Sequence, residues 1–231
     1  MDINSLFATN IRISNVDPLD TNAIWPNNIE VTLCRVPIRK RDGYSATNFK
    51  KLAERLKTNT VKNGIVFLIC YAPNECKSRP FEIANIMTEA GFEHIDNIIL
   101  NKSWLPGKRS ESNLVNSHEY VLYFCNGKVW KLDRLPIREY LKIDDEQSCP
   151  GNSWTIETGS LEDSYPLDLA ELLIRMTDVL PGSVIFDPYM GTSAALQSCL
   201  KLGHSFYGFE TDNRKLTKYK KIVKDQQDKE S

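Results

Sequence analysis

The segment 183–210 constrains the fold of this chain most strongly, because it reads in order as strand, turn, helix, strand and acid. A short apolar run ends in Asp187, Gly191 permits a tight turn where a ligand can approach the backbone, and a second apolar run ends in Glu210. Ligands of open parallel sheets bind outside the carboxyl ends of the strands, and a carboxylate there can accept hydrogen bonds from two ribose hydroxyls. The segment therefore predicts a nucleotide-type pocket that joins these three residues.

Strands and helices alternate along the rest of the chain. Continuous apolar runs are typical of parallel strands that are covered on both faces. The predicted strands are Ile29–Val36, Gly64–Cys70, Ile95–Leu100, Glu119–Cys125, Ser183–Phe186 and Phe206–Phe209, and the predicted helices are Ser45–Leu56, Pro80–Ala90, Asp168–Val179 and Ala194–Leu202. This order predicts an α/β fold with a mostly parallel central sheet and helices on both faces.

Length and composition predict one domain. The 231 residues, 41% of them hydrophobic, are enough for one sizeable core, and a net charge of -1 excludes a broadly basic surface for nucleic acid. The polar residues 1–28 predict an N-terminal arm or loop, residues 29–220 the domain, and residues 221–231 a charged tail.

Cysteine usage indicates a reducing compartment. The six cysteines form no Cys-x-x-Cys pair and only three histidines accompany them, so no metal site is predicted. No apolar run has membrane-spanning length, and no signal-peptide pattern opens the chain. A cytoplasmic protein is expected. Four cysteines lie in apolar runs as core residues, namely Cys34, Cys70, Cys125 and Cys199.

The segment 187–194 resembles the first motif of S-adenosylmethionine-dependent methyltransferases, and more narrowly that of the DNA amino-methyltransferases, Asp-Pro-Phe-x-Gly-Ser-Gly-Thr. Here it reads Asp-Pro-Tyr-Met-Gly-Thr-Ser-Ala, with Ser193 where a second glycine is usual. Because this motif lies near the C-terminus, the chain resembles the circularly permuted beta class. Three further stretches are similar to that class, and the resemblance covers about residues 29–220: they are 62–69, 101–104 with 116–124, and 165–169.

This resemblance implies a Rossmann-like methyltransferase fold, S-adenosylmethionine as cofactor, double-stranded DNA as substrate, and transfer to an exocyclic amine of adenine or cytosine after base flipping. Tyr189 and Phe209 would flank the adenine ring, while Thr192 and Ser193 would donate to the methionine carboxylate. Residues 126–159 stand where the family inserts its target-recognition region. So short an insert implies a homodimer or a heterodimer with another methyltransferase subunit. The implied cofactor-binding residues are Asp187, Pro188, Tyr189, Gly191, Thr192, Ser193, Phe209 and Glu210.

The implied catalytic motif is degenerate. The family has Asp/Ser/Asn-Pro-Pro-Tyr/Phe after its first strand here, whereas this chain has Cys34, Arg35, Val36 and Pro37. A thiol accepts hydrogen bonds weakly, a guanidinium accepts none, and proline offers no stacking ring. Three readings stay open. Backbone carbonyls hold the amine, a different group such as one on RNA or a small molecule is methylated, or transfer is lost and the chain is a DNA-binding or regulatory subunit.

Neighbouring residues add alternatives. Cys34 is either a nucleophile or, more simply, a packed core residue. Tyr44 either supplies the missing ring or covers the edge of the core. His118 and Glu119 read as a strand start rather than as chemical groups. Two basic stretches are candidates for DNA contact, or else solvated loops: Arg39, Lys40 and Arg41, and the stretch with Lys102, Trp104, Lys108 and Arg109.

Overall fold

The structure is a computed structural model that describes residues 9–37, 43–72, 76–102, 114, 116–128, 132–145, 149–156 and 165–230. Within them the strands are β1 (Ile11–Ser14), β2 (Ile29–Arg35), β3 (Thr60–Cys70), β4 (Glu93–Lys102), β5 (His118–Cys125), β6 (Ser153–Ile156), β7 (Val184–Asp187) and β8 (Ser205–Phe209). The helices are α1 (Ala46–Asn59), α2 (Arg79–Glu89), α3 (Leu135–Leu141), α4 (Leu167–Arg175), α5 (Ala194–Leu202) and α6 (Asn213–Glu230).

The eight strands form one sheet in the order β1-β8-β7-β2-β3-β5-β4-β6. β5 runs antiparallel to β3 and to β4, and the other neighbours are parallel. β7 and β8 come late in the chain, yet they lie between β1 and β2 in the sheet. The carboxyl ends of the parallel strands therefore gather early and late parts of the chain along one edge.

Helices cover both faces of the sheet, as the sequence predicts. On one face β2 residues such as Val31 and Leu33 pack with residues of α3, α4, α5 and α6. On the other face Cys34 and Val66 pack with α1 and α2. All four cysteines predicted as core residues are buried. The fold class predicted from the strand and helix pattern is thus confirmed.

The N-terminal segment differs from the predicted arm or loop. Ile11–Ser14 pairs in parallel with β8 as an edge strand. Along this strand Ile11 and Ile13 are half-buried on one face, while Arg12 between them is exposed on the other. Trp25 and Pro18 also pack inward, since the indole N–H donates to the Pro18 carbonyl at 3.1 Å. Part of the segment 1–28 therefore belongs to the sheet.

The structure adds secondary structure to two other predicted segments, the charged tail and the insert. α6 continues past residue 221 to Glu230, and beyond residue 221 the side chains of Ile222 and Val223 pack on the core next to Leu216 and Tyr219. Within 126–159, β6 pairs with β4 and buries Trp154, so this part of the insert extends the sheet. No helix in the described part of the chain is long and apolar enough to cross a bilayer.

Candidate functional site

Asp187 lies at the carboxyl end of β7, wholly buried, beside the end of β8. Its carboxylate accepts a hydrogen bond from the Tyr165 hydroxyl at 3.0 Å and one from the Tyr189 backbone N–H at 2.9 Å. Burial raises the pKa of Asp187 to about 7, the negative charge of Glu210 adds to the increase, and the two hydrogen bonds oppose it. Asp187 is therefore a carboxyl group whose charge responds to pH and to a nearby cation.

Glu210 follows the last residue of β8, and the fold holds its side chain in place. Its Oε1 accepts from the Asp212 backbone N–H at 2.9 Å, and its Oε2 accepts from the Tyr219 hydroxyl at 3.3 Å. Lys215 Nζ lies 3.8 Å from Oε2. Each carboxylate oxygen can take two hydrogen bonds. One acceptor site per oxygen is thus available for the two hydroxyls of a ribose.

The loop between β7 and α5 is a tight turn packed on the end of β8. The Ser193 N–H donates to the Met190 carbonyl at 2.7 Å, and the Met190 N–H donates to the Phe209 carbonyl at 3.3 Å. Gly208 leaves the room for Met190, because a Cβ there would lie 2.6 Å from its sulfur. The single proton of the Tyr219 hydroxyl is shared between the Gly191 carbonyl and Glu210 Oε2. Tyr219, which sequence reasoning missed, thus ties the turn to Glu210.

Ser193 adopts left-handed backbone angles, with φ of 68° and ψ of 23°. A residue with a Cβ is strained in this region, so the backbone explains why the resembling family has glycine at this place. The Ser193 side chain is buried and its hydroxyl lies 3.3 Å from the amide nitrogen of Gln197. It faces α5 rather than open solvent.

Replacement of Ser193 tests this strain. We expect Ser193→Gly to unfold with a free energy about 1 kcal/mol higher than Ser193→Ala, because both lose the hydroxyl and only alanine keeps a Cβ at positive φ. Urea unfolding of the two variants measures the difference. Equal stabilities would mean that the turn relaxes at no cost.

A third strand end adjoins these two. The Glu210 N–H donates to the Ser14 carbonyl of β1 at 3.1 Å, and the amide side chains of Asn15 and Asn213 are 2.5 Å apart. Trp25 lies against Phe186 and Phe209, with ring centroids 4.7 and 5.9 Å away. No sequence motif had assigned this segment to the site. The alternation of Ile11 and Ile13 was the available signal.

The predicted cofactor residues divide by exposure. Asp187, Pro188, Ser193 and Phe209 are buried, Tyr189, Gly191 and Glu210 are half-buried, and Thr192 is exposed. The Phe209 ring is only 3% exposed and packs edge-on against Phe186, 5.4 Å away. Its role beside an adenine ring stays a prediction, as do the hydrogen bonds assigned to Thr192 and Ser193.

The end of β2 carries the predicted catalytic residues Cys34–Pro37. Cys34 and Val36 are buried, so their side chains cannot touch a base, and Pro37 is half-buried. Burial raises the pKa of the Cys34 thiol well above its usual value, and the nearby Asp187 adds to the increase. A neutral, enclosed thiol is no nucleophile. Cys34 is therefore a packing residue in this structure.

Arg35 points to the opposite face and forms an ion cluster with Glu119 and Lys102. The two guanidinium nitrogens of Arg35 lie 2.9 and 3.3 Å from the Glu119 carboxylate oxygens, and Lys102 Nζ lies 3.2 Å from Oε1. The three side chains are 12%, 8% and 16% exposed. Lys102 also lies 4.4 Å from the centre of the Tyr71 ring. Glu119, expected only as part of a strand start, thus orders two predicted functional cations.

The remaining candidates are less central. Tyr44 is 6% exposed, stacked on Phe49 and covered by the Arg79 guanidinium 3.8 Å from its ring centre. It therefore covers the core and offers no free ring. Among the described residues no group of three or more His, Cys, Asp or Glu is placed to hold a metal ion. The predicted DNA contacts Arg39, Lys40, Arg41, Trp104, Lys108 and Arg109 lie outside the described residues.

Comparison with known proteins identifies the family to which a chain with this site belongs. Residues 40–221 match the profile of the N6/N4 methyltransferase family, which is described as DNA methylase. The chain belongs to this family. The predicted DNA amino-methyltransferase is thereby confirmed at the level of the family, and the silent-subunit alternative is not favoured. No protein with a curated function matches the sequence.

Three solved structures share the fold of this N6/N4 family member. M1.HpyAVI is 16% identical with a TM-score of 0.68, over 92% of this chain and 98% of its own. TTHA0409 of Thermus thermophilus, assigned as a DNA modification methylase, is 18% identical with a TM-score of 0.67, over 93% and 94%. The cytosine-N4-specific PvuII DNA methyltransferase is 14% identical with a TM-score of 0.67, over 88% and 83%. M1.HpyAVI and TTHA0409 have also been solved as complexes with S-adenosylmethionine.

Proposed function

We propose that this N6/N4 family member transfers a methyl group from S-adenosylmethionine to an exocyclic amine of adenine or cytosine in double-stranded DNA. The observation that carries the proposal is the placement of Asp187 and Glu210 at adjacent strand ends with the Gly191 turn between them, in a chain of the DNA methylase family. Asp187 and Glu210 lie in the last quarter of the chain, and we attribute this position to a circularly permuted order of the family's motifs.

The residues at these strand ends fit the donor. S-adenosylmethionine carries a sulfonium and an ammonium group, and two neighbouring carboxylates attract positive charge. Glu210 has acceptor sites left for the ribose hydroxyls, and the Gly191 turn lets backbone approach the ligand. Hydrogen bonds from Tyr165 and Tyr219 hold the two carboxylates in position. A bound cation also favours the ionised form of Asp187.

The end of β2 faces the other reactant in this proposal. S-adenosylmethionine supplies an electrophilic methyl group when bound, and the amine nitrogen must present its lone pair to it. Because Cys34 and Val36 are buried, backbone carbonyls at the strand end are the groups of this segment that can accept from the amine. The Arg35 guanidinium, held by Glu119, supplies donors only and cannot fill that role.

The partners follow from the substrate. We further propose that the protein is cytoplasmic and associated with DNA. It would bind duplex DNA as a homodimer or together with a second methyltransferase subunit. Residues 126–159 are a short segment for reading a DNA sequence, and their described part includes a sheet strand and a short helix. A second chain would supply further surface for sequence reading.

The test is methyl transfer to DNA. We expect the purified chain, incubated with methyl-tritiated S-adenosylmethionine and mixed-sequence duplex DNA, to label the DNA, and mass spectrometry of its nucleosides to show N6-methyladenine or N4-methylcytosine. Cys34→Ala should keep most of the transfer rate, since the thiol only packs. Label in RNA alone, or tight donor binding with no DNA product, would reject the proposal as stated.

A further inference from the structure

Three aromatic side chains form a cluster at the carboxyl edge of the sheet, next to the proposed target site. Phe81 stands near the start of α2, and Tyr120 and His118 lie at the start of β5. The Phe81 and Tyr120 rings are 6.0 Å apart in an edge-to-face arrangement, and the Tyr120 and His118 rings are 5.0 Å apart. His118 Nε2 lies 3.0 Å from the Tyr120 hydroxyl oxygen. We call these three residues the aromatic platform.

Phe81 is the exposed member of the platform, with 59% of its surface open to solvent. It is the one aromatic ring among the strongly exposed large apolar side chains of the described residues; the others are Ile24, Leu114, Leu135, Leu167 and Leu180. One side of the ring packs edge-to-face on Tyr120 and the rest is open. The exposed part of the phenyl ring is therefore free to contact another molecule.

The register of the sheet fixes the position of the platform. Tyr120 pairs with Cys70 at the end of β3, and Arg35 at the end of β2 pairs with Ile69. β3 alone separates β2 from β5, at neighbouring strand distances of about 5 Å. The platform thus lies about two strand spacings from the segment Cys34–Pro37, along the same edge.

We propose that the aromatic platform stacks a nucleobase of the bound DNA, with Phe81 as the contact surface. The inference rests on the proposed function and deepens it, because it names a surface that contacts the DNA beside the target site. The segment Cys34–Pro37 has no ring, and Tyr44 is closed off by Phe49 and Arg79. Every base has an aromatic face, so an exposed phenyl ring accepts any of them.

Arg35 and Lys102 share one carboxylate, Glu119, so their cluster keeps a net positive charge at the same edge, which suits a phosphate beside such a base. Lys102 lies at the end of β4, between Glu119 and Tyr71. Arg79, two residues before Phe81, is 17% exposed and lies 3.3 Å from Glu82. Aromatic rings flanked by positive side chains are the usual composition of a surface that holds an unpaired nucleotide.

Substitution of Phe81 tests the proposal. In fluorescence anisotropy with a labelled 20-nucleotide mixed-sequence single strand and with a duplex that carries one mismatched pair, Phe81→Ala should weaken binding about 5- to 100-fold. Phe81→Trp should keep the affinity. The slope of affinity against salt should not change, because stacking releases no counterions. Because Phe81 is exposed, the variant should fold.

Leu180→Ala is the matched control. Leu180 is 70% exposed and precedes β7, at the opposite end of the strands, so its loss should leave DNA affinity unchanged. Unchanged DNA binding in Phe81→Ala, an equal loss in Leu180→Ala, or a weakened monomer–monomer association in Phe81→Ala with DNA affinity intact would each overturn the platform. S-adenosylmethionine binding should be the same in Phe81→Ala as in the wild type. Absence of that binding in the wild type would instead reject the proposed function.

Discussion

Replacing Glu210 by glutamine is expected to weaken S-adenosylmethionine binding about 100-fold while the chain stays folded. Each hydrogen bond that a ribose hydroxyl donates to a carboxylate is worth about 1.5–3 kcal/mol. Loss of about 3 kcal/mol corresponds to about two decades in the dissociation constant. Glutamine keeps the shape and can still accept from the Asp212 N–H, but its NH2 group cannot accept from a hydroxyl.

Isothermal titration calorimetry with S-adenosylmethionine measures the loss, and urea unfolding checks the fold. Glu89→Gln is the control, since Glu89 is an exposed glutamate paired with Lys50 at 3.5 Å and far from the site in the chain. It should leave donor affinity unchanged. If Glu210→Gln lost stability and kept its affinity, Glu210 would be a structural cap for the turn before α6 and not a ligand.

Replacing Asp187 by asparagine is expected to stabilise the protein at pH 8 by up to about 4 kcal/mol and to leave it unchanged near pH 4. The folded pKa of about 7 lies some three units above the ordinary value of 3.8, and each unit corresponds to about 1.4 kcal/mol. Asparagine can accept from the Tyr189 N–H and donate to Tyr165, so the hydrogen bonds of the site survive the change.

The direction of this pH dependence follows from the raised pKa. The folded protein binds the Asp187 proton more tightly than the unfolded chain does. The contribution of the carboxyl group to stability is therefore full below about pH 4 and is lost as the pH rises to about 7. Above pH 7 the folded protein holds a buried carboxylate, and the asparagine variant avoids this cost. The difference in the free energy of unfolding between wild type and Asp187→Asn should thus grow as the pH rises from about 4 to about 7 and beyond.

Urea unfolding at pH 5, 6, 7 and 8 measures the difference. Asp225→Asn, at an exposed position of α6, is the matched control and should change stability by less than about 0.5 kcal/mol at every pH. A stability gain in Asp187→Asn that is the same at pH 5 and at pH 8 would show that Asp187 does not titrate in this range. We also expect the variant to bind S-adenosylmethionine more weakly, because it cannot offer a negative charge to the donor.

The sequence predicted the parts of the fold that local patterns encode. Continuous apolar runs located β3 and β7, because a strand buried on both faces carries apolar residues throughout. Apolar residues at helical spacing located α1 and α5, because a helix buries one face. The acid that ends a strand and the glycine of the turn located Asp187, Gly191 and Glu210. All three meet at one edge, as parallel strands require.

What the sequence did not predict depends on contacts between distant residues. Tyr165 entered the sequence analysis only as part of the stretch 165–169, and Tyr219 did not enter it. Only the folded chain brings their hydroxyls to Asp187 and Gly191. Glu119 lies 84 residues after Arg35, so no local pattern links them. Cys34 occupies the first position of the implied catalytic motif, but side chains alternate between the faces of a strand, and that of Cys34 points into the core.

The order of the strands has a consequence for synthesis of the chain. β2 is synthesised early, but its edge toward β7 has no partner until residues 184–187 have been made. β1 is synthesised earlier still and has no partner until β8 has been made. Pairings between such distant segments form slowly, and an open strand edge invites pairing with other chains in the meantime. The donor pocket therefore cannot assemble before β7 and β8 have both been made. Binding of S-adenosylmethionine can stabilise the fold only after the ribosome has delivered α6.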